Sequence, residues 1–262
     1  MTRVTDEPTD PAAHPVVSRE EWLTARRALL IREKAHTRER DELASARKAL
    51  PWVRIEKPYR FEGAQGPASL ADLFGGRDQL LVYHFMFGPE WEEGCPSCSL
   101  IADHVDGALP HLAARGVAFA AVARAPYARL AAFRTRMGWR FPWFSSHGSD
   151  FNQDFHVSAS PAERSAGTVD YNFQSSPFQV EDLPGMSAFA RDASGRVFHT
   201  YSAYARGLES PIGTYAWLDL APRGRDEDGL AFTMAWVRHH DRYGPEYAVD
   251  ACAGYCAPAG AR

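Results

Sequence analysis

Cys95-Pro96-Ser97-Cys98 is the stretch whose residue types and spacing can do chemistry. Two cysteines placed three residues apart on a helix lie one turn from each other on the same face, and so can close a disulfide. A helix N-terminus also presents unsatisfied N–H groups and the positive end of the helix dipole to the first sulfur, which favours its thiolate. Pro96 suits this placement, because its missing N–H costs nothing at the first helical position. Two other groups invite a chemical reading. Cys252 and Cys256 stand in a Gly- and Pro-containing tail; they read as flexible thiols, as a secondary redox pair, or with Cys95 and Cys98 as a four-thiolate zinc site. His239-His240-Asp241 suggests a metal, but adjacent histidines on a helix point to different faces, so the run is read as a helix end with histidines near its negative pole.

The elements that must position the first pair follow from periodicity. Leu80, Leu81, Val82, Tyr83, Phe85 and Phe87 form an apolar run that stops at Gly88-Pro89, which is a buried strand delivering the cysteines to a helix start. Helical spacing of Leu100, Ile101, Val105, Leu109 and Leu112 runs to Gly116, Val117 to Val122 is a strand, and Pro126 to Met137 is a helix stopped by Gly138. Strand, helix, strand, helix predicts a parallel sheet with a right-handed crossover. Phe141 to Ser145 reads as an edge-like segment, since Pro142 cannot serve a central ladder. The stretch from His147 to Asp182 has little periodicity and reads as an insertion near the site or at an interface. Pro184 to Phe189, a turn at Asp192 to Gly195, and Val197 to Tyr201 read as an antiparallel hairpin. Tyr204 to Leu220 should supply the last helix of the domain.

Upstream, residues to Val17 are polar and read as loose. A helix is expected from Ser18, because Ser18-Arg19-Glu20-Glu21 is a capping box, and it should end before Pro51. Its middle, Arg32 to Glu42, alternates charge, with apolar residues such as Trp22, Leu29, Leu43 and Leu50 near its ends, so a solvated helix or one contacting a second subunit is expected. Short β segments follow from Trp52. Gly63 to Pro67 is a turn, and Ser69 to Phe74 is a short helix with Gly75-Gly76 as its stop. The organisation expected is therefore a loose 1–17, a helix over 18–50, a domain over 51–220 and a C-terminal extension over 221–262.

Composition bounds the class. The 262 residues are 45% hydrophobic and 24% charged, enough for one substantial core. A net charge of −4 and a pI near 6.2 give no footprint for nucleic acid or an anionic membrane. The N-terminus lacks an apolar signal core, and no apolar run approaches the ~20 residues of a membrane span, so a cytoplasmic location is expected. Four cysteines do not suggest a structural disulfide framework in a reducing compartment.

The stretch SLADLFGGRDQLLVYHFMFGPEWEEGCPSCSLIADHVDGALPHLAARGVAFAAVARAP resembles a bacterial thioredoxin-like family of unknown function described as predicted dithiol-disulfide oxidoreductases. The resemblance runs from about Ser18 to Tyr243 and includes MGWRFPWFSS and GRDEDGLAFTMAWVRHHDRY. It implies an α/β, thioredoxin-like three-layer fold: a central mixed sheet flanked by helices, with the N-terminal helix as an extension and the insertion placed before the last hairpin. It also implies that Pro184, ahead of that hairpin, is a cis proline facing Cys95 and Cys98. Trp91 departs from the thioredoxin pattern, being separated from Cys95 by Glu92-Glu93-Gly94. SLADLF-GG is similar to the entry into a peroxiredoxin core, yet where peroxiredoxins carry Thr or Ser and Pro before the reactive cysteine this chain has Glu92 and Gly88.

The function expected is thiol-disulfide exchange, with Cys95 attacking and the more buried Cys98 resolving. The alternatives are a thiol peroxidase and a non-catalytic zinc or copper protein using the same cysteines. Catalytic candidates are Cys95, Cys98 and Pro184, with Trp91, Pro96, His84 and Arg124 secondary. No cofactor is expected. Partners would be a protein or small disulfide and an unidentified electron donor, with no nucleic acid, no membrane, and a homodimer as an open option. Glu90, Glu92 and Glu93 should oppose the helix dipole and hold Cys95 near the thioredoxin level of acidity.

Overall fold

The computed structural model describes residues 14–244 of the chain. Helix α1 (Arg19–Lys48) opens on the expected capping box: Glu21 N–H donates to Ser18 Oγ at 3.3 Å and Ser18 N–H to the Glu21 carboxylate at 2.9 Å. No residue of α1 is buried; its charged surface is mostly solvated, and near its end Arg47 lies over the Tyr201 ring. The chain then builds β1 (Val53–Arg54), the hairpin β2 (Arg60–Gly63) and β3 (Gly66–Ser69), a 3-10 turn stopped by Gly75 at φ 53, and β4 (Gln79–His84). From there it runs α2 (Pro96–Ala102), α3 (Leu109–Ala114), β5 (Val117–Ala123), α4 (Tyr127–Arg136), β6 (Trp143–Ser145), α5 (Phe151–Asp154) and α6 (Pro161–Ala166). A small hairpin, β7 (Thr168–Tyr171) with β8 (Gln174–Pro177), precedes the long hairpin β9 (Gly185–Arg191) and β10 (Val197–Tyr204), and α7 (Gly213–Leu218) follows.

Eight strands form one mixed sheet in the order β1-β10-β9-β4-β5-β6-β2-β3. β4, β5 and β6 are mutually parallel, and β9 returns antiparallel to β4 on its other side. A parallel βαβ unit joined to an antiparallel hairpin, with the strand that leads to the cysteines at its centre and helices on both faces, is the thioredoxin-like class expected. The central strand is apolar on both sides because both sides are covered. Leu80 and Val82 enter a core with Phe74, Phe151 and Phe189, while Tyr83 and then Phe85 and Phe87 enter the opposite core with Cys98, Leu130, Phe133 and Trp143. This parity decides which side chains can approach the cysteines.

Several expectations are corrected. β6 is not an edge: it lies between β5 and β2, because Pro142 precedes the strand and contributes only its carbonyl, which accepts from Ala121 N–H at 2.9 Å. The helix expected from Leu100 to Leu112 is two, α2 and α3, separated by turns over 103–108. The 147–182 insertion, though aperiodic, folds into α5, α6 and β7–β8. The stretch after Tyr204 yields only a 3-10 turn and the short α7, and around His239 there is no α-helix, only the 3-10 turn His240–Arg242.

Candidate active site

After β4 the backbone of Met86 turns back to receive the loop that carries the cysteines: Cys95 N–H donates to the Met86 carbonyl at 3.1 Å. Cys95 caps α2 with an extended backbone (φ −59, ψ 129), and Pro96 takes the first helical position as expected. The Cys95 carbonyl accepts both the Ser99 N–H and the Ser99 hydroxyl at 3.0 Å. Gly94 is packed so closely that a Cβ there would lie 2.6 Å from the Phe85 ring and 2.9 Å from the Phe133 ring. The loop is therefore pressed onto the aromatic core immediately before the reactive position.

Both cysteines are free thiols, Cys95 half-buried and Cys98 2% exposed. The Cys98 thiol, donating to the Cys95 sulfur, is the largest influence bringing Cys95 down to about 7; the N–H groups of Cys98 and Ser97 and the Ser97 hydroxyl add to it against the opposing effect of burial. Burial pushes Cys98 well above the ordinary thiol range, and the neighbouring Cys95 sulfur reinforces this. A value near 7 is the thioredoxin level expected, but it arises from the dithiol itself rather than from loop carboxylates. Glu93 is held by Arg136 at 3.2 Å and by Arg242, which ties its charge to two guanidinium groups.

Two cavities meet at Cys95. One is lined by both cysteines, Met86, Pro184 and the apolar residues of the 205–215 turn; the other by Cys95, Pro96, Trp91, Arg238, His239 and Arg242. Pro184 thus shares a cavity wall with the cysteine pair, and Trp91 with Cys95, despite the three residues between them. The expected cis bond is absent: among the described residues no peptide bond is cis. The physical reason lies upstream of Pro184, where Ala159 N–H bonds Glu181 O at 3.1 Å and Leu183 N–H bonds Val157 O at 2.9 Å. That extended segment runs straight into β9 through a trans bond.

The other secondary candidates are placed elsewhere. His84 points to the opposite face of the sheet, stacked on Phe151 and Phe155, with Nε2 2.8 Å from Ser187 Oγ. Ser187 continues to Ser202 and Ser202 to His199, each at 2.8 Å. Arg124 lines neither cavity at Cys95. Its Nε donates to Asp182 at 2.6 Å and its Nη2 pairs with Glu181 at 3.0 Å, an ion pair that ties β5 to the insertion.

Sequence reasoning missed the groups that brace the cysteine loop. His239 is 3% exposed, and its Nε2 lies 2.8 Å from the Gly94 carbonyl. A carbonyl only accepts, so Nε2 carries the proton, while Nδ1 faces Arg136 Nη2 at 3.3 Å. Arg136 also grips Asp241 through two hydrogen bonds of 2.8 and 2.9 Å, and His240 reaches Asp103 at 2.7 Å. The tandem histidines thus serve two different contacts, as their opposed directions require. Among the described residues no three His, Cys, Asp or Glu side chains are gathered to hold a metal. Cys252 and Cys256 lie outside the described residues.

Residues 11–243 match the family described as "Bacterial protein of unknown function (DUF899)". No curated protein matches the sequence. Similar solved structures include a mutant of peroxiredoxin Q from Xanthomonas campestris, at 13% identity and TM-score 0.43 over 65% of this chain and 98% of that one. Peroxidoxin BcpB from Mycobacterium tuberculosis gives 12% and 0.38 over 63% and 95%, and the mitochondrial 2-cys peroxiredoxin from Plasmodium falciparum 11% and 0.36 over 64% and 94%. Similarity of this size leaves the chemistry to the chain's own residues.

Proposed function

Because the chain belongs to DUF899, a bacterial family of unknown function, its activity has to be read from its own site, and we propose that it is a thiol-disulfide oxidoreductase. The Cys95 thiolate attacks one sulfur of a substrate disulfide, forming a mixed disulfide and releasing the first substrate thiolate, which takes up a proton. Cys98, giving up its proton, then attacks the Cys95 sulfur, closing the Cys95–Cys98 disulfide and releasing the second thiol. Two electrons pass from the dithiol to the substrate, and a dithiol reductant restores the pair.

The observation that supports this reading is the asymmetry of the pair. Cys95 is half-buried with its thiol brought to about 7, whereas Cys98 is buried and held protonated. An attacking thiol with a pKa near ambient pH is near the optimum for exchange, and it belongs to a reducing rather than a strongly oxidising couple. Trp91 and Pro184, as walls of the cavities beside Cys95, are the residues against which a substrate would lie.

The test is stoichiometric. Fully reduced protein mixed with a small disulfide should release two thiols per chain and acquire an intramolecular Cys95–Cys98 bond, located by peptide mass mapping. Zinc bound by the purified protein with no thiol release would replace this reading by the metal-protein one.

A further inference from the structure

The cysteine pair lines a cavity of about 270 Å³ whose other walls come from segments far apart in sequence. Ile101, Leu208, Ile212 and Tyr215 are each 5% exposed or less, and Met86 and Met234 complete an apolar lining. Methionine walls adapt to irregular apolar guests. The charges at the rim are already matched: Arg206 pairs with Glu209 at 2.7 Å, and Glu209 also takes Arg225 at 2.9 Å. No guanidinium there is left over for an anionic ligand.

One carboxylate fixes part of this wall. One carboxylate oxygen of Glu227 accepts from Tyr215 Oη at 2.9 Å, Met234 N–H at 2.9 Å and Trp236 Nε1–H at 2.6 Å. Met234 adopts φ 68, a left-handed conformation that a long side chain takes only where its surroundings fix it. The 227–237 segment is therefore pinned where Thr233 and Met234 form part of the cavity wall. A space this size falls just below the range of roughly 300–1,000 Å³ for drug-sized ligands.

We propose that the substrate is a low-molecular-weight disulfide with apolar arms, one arm seated in this cavity so that its sulfur meets Cys95. This deepens the oxidoreductase reading and rests on it. The reaction is the exchange already written: dithiol plus R–S–S–R gives the Cys95–Cys98 disulfide and two R–SH, so a single exchange needs no further reactant. A glutathione-like disulfide is disfavoured, since its carboxylates would face apolar wall and neutralised charge.

The experiment compares di-n-propyl disulfide with bis(2-hydroxyethyl) disulfide, equal in length, in single-turnover reaction with the reduced full-length protein, each rate being divided by that of the same disulfide with dithiothreitol to remove the difference in leaving-group acidity. Burying alkyl rather than hydroxyl ends should make the propyl compound about tenfold faster. Ile212→Trp and Leu208→Phe, which fill the cavity, should bring the ratio towards one, with near-ultraviolet circular dichroism reporting that the fold is kept. If neither variant folds, the wild-type ratio decides. Equal wild-type rates, or glutathione disulfide reacting faster than the propyl compound, would overturn the apolar substrate while leaving disulfide exchange standing. Failure to reduce any of the three would overturn both.

Discussion

The imidazole Nε2 of His239 meets the carbonyl of Gly94 at 2.8 Å, joining the C-terminal segment to the residue that precedes Cys95. The ring is buried, stands edge-on to Phe133 at 5.3 Å and takes Arg136 on its other nitrogen. Removing it would leave the buried Gly94 carbonyl without this partner at a cost of about 1–3 kcal/mol. His239→Ala should lower the thermal midpoint and speed amide exchange at Cys95, without moving exchange in β9. Unchanged exchange at Cys95 would mean that the contact does not brace the loop.

Gly94 itself makes a second prediction. With a Cβ only 2.6 Å from Phe85 and 2.9 Å from Phe133, Gly94→Ala must push either the rings or the cysteine loop. Overpacking of this kind costs about 1–3 kcal/mol. Urea unfolding should show that loss, and Cys95 alkylation should change in rate while the buried Cys98 stays protected. A variant as stable as the parent would show that the loop can yield freely.

The buried His84 predicts how stability depends on pH. Burial is the main cause that holds its ring far below the ordinary value, at about 3, with His199 adding to it. In the unfolded chain a histidine takes up its proton near pH 6.5. Below that pH the unfolded state binds a proton that the folded state refuses, so the contribution is complete above about 6.5 and is lost as pH falls towards 3. Between pH 7 and pH 5 the loss is on the order of 2 kcal/mol. The check is urea unfolding at both pH values for the parent and for His84→Gln, in which this part of the pH dependence should vanish. Equal pH dependence in the two proteins would contradict it.

A fourth prediction concerns what lowers the Cys95 thiol. Since hydrogen bonding from Cys98 is the largest cause, Cys98→Ala should raise the midpoint of the pH profile for Cys95 alkylation. Cys98→Ser, which keeps a donor, should raise it less, and neutralising Glu92 should leave it at about 7. A marked fall on changing Glu92→Gln would restore the role first read for the loop carboxylates.

What the sequence made legible was local. Ser18 with Glu21, Gly75 after Phe74 and Pro96 at the start of α2 are decided by neighbours within a few residues, and each stands where propensity puts it. The apolar run of β4 also announced a strand covered on both faces. Pattern alone failed where contacts are long-range. His239 and Gly94 are 145 residues apart, and nothing in either neighbourhood encodes the meeting. His84 and Tyr83 are adjacent yet face opposite cores, and only the register of the finished sheet shows which reaches the cysteines. The cis bond at Pro184 was expected from resemblance, and the ladder from Ala159 to Leu183 overrides it. Phe141 to Ser145 was misread because the rule against proline in a ladder applies to strand positions, and Pro142 stands one residue before β6.

The most direct measurement of the central claim is covalent trapping. Cys95→Ser and Cys98→Ser are expressed separately, thiols are blocked at lysis, and the proteins are compared on non-reducing gels and by mass mapping. Attack by Cys95 and resolution by Cys98 predict that Cys98→Ser accumulates reducible adducts attached through Cys95, and that Cys95→Ser accumulates none. Adducts on Cys95→Ser with none on Cys98→Ser would reverse the two roles and contradict the account.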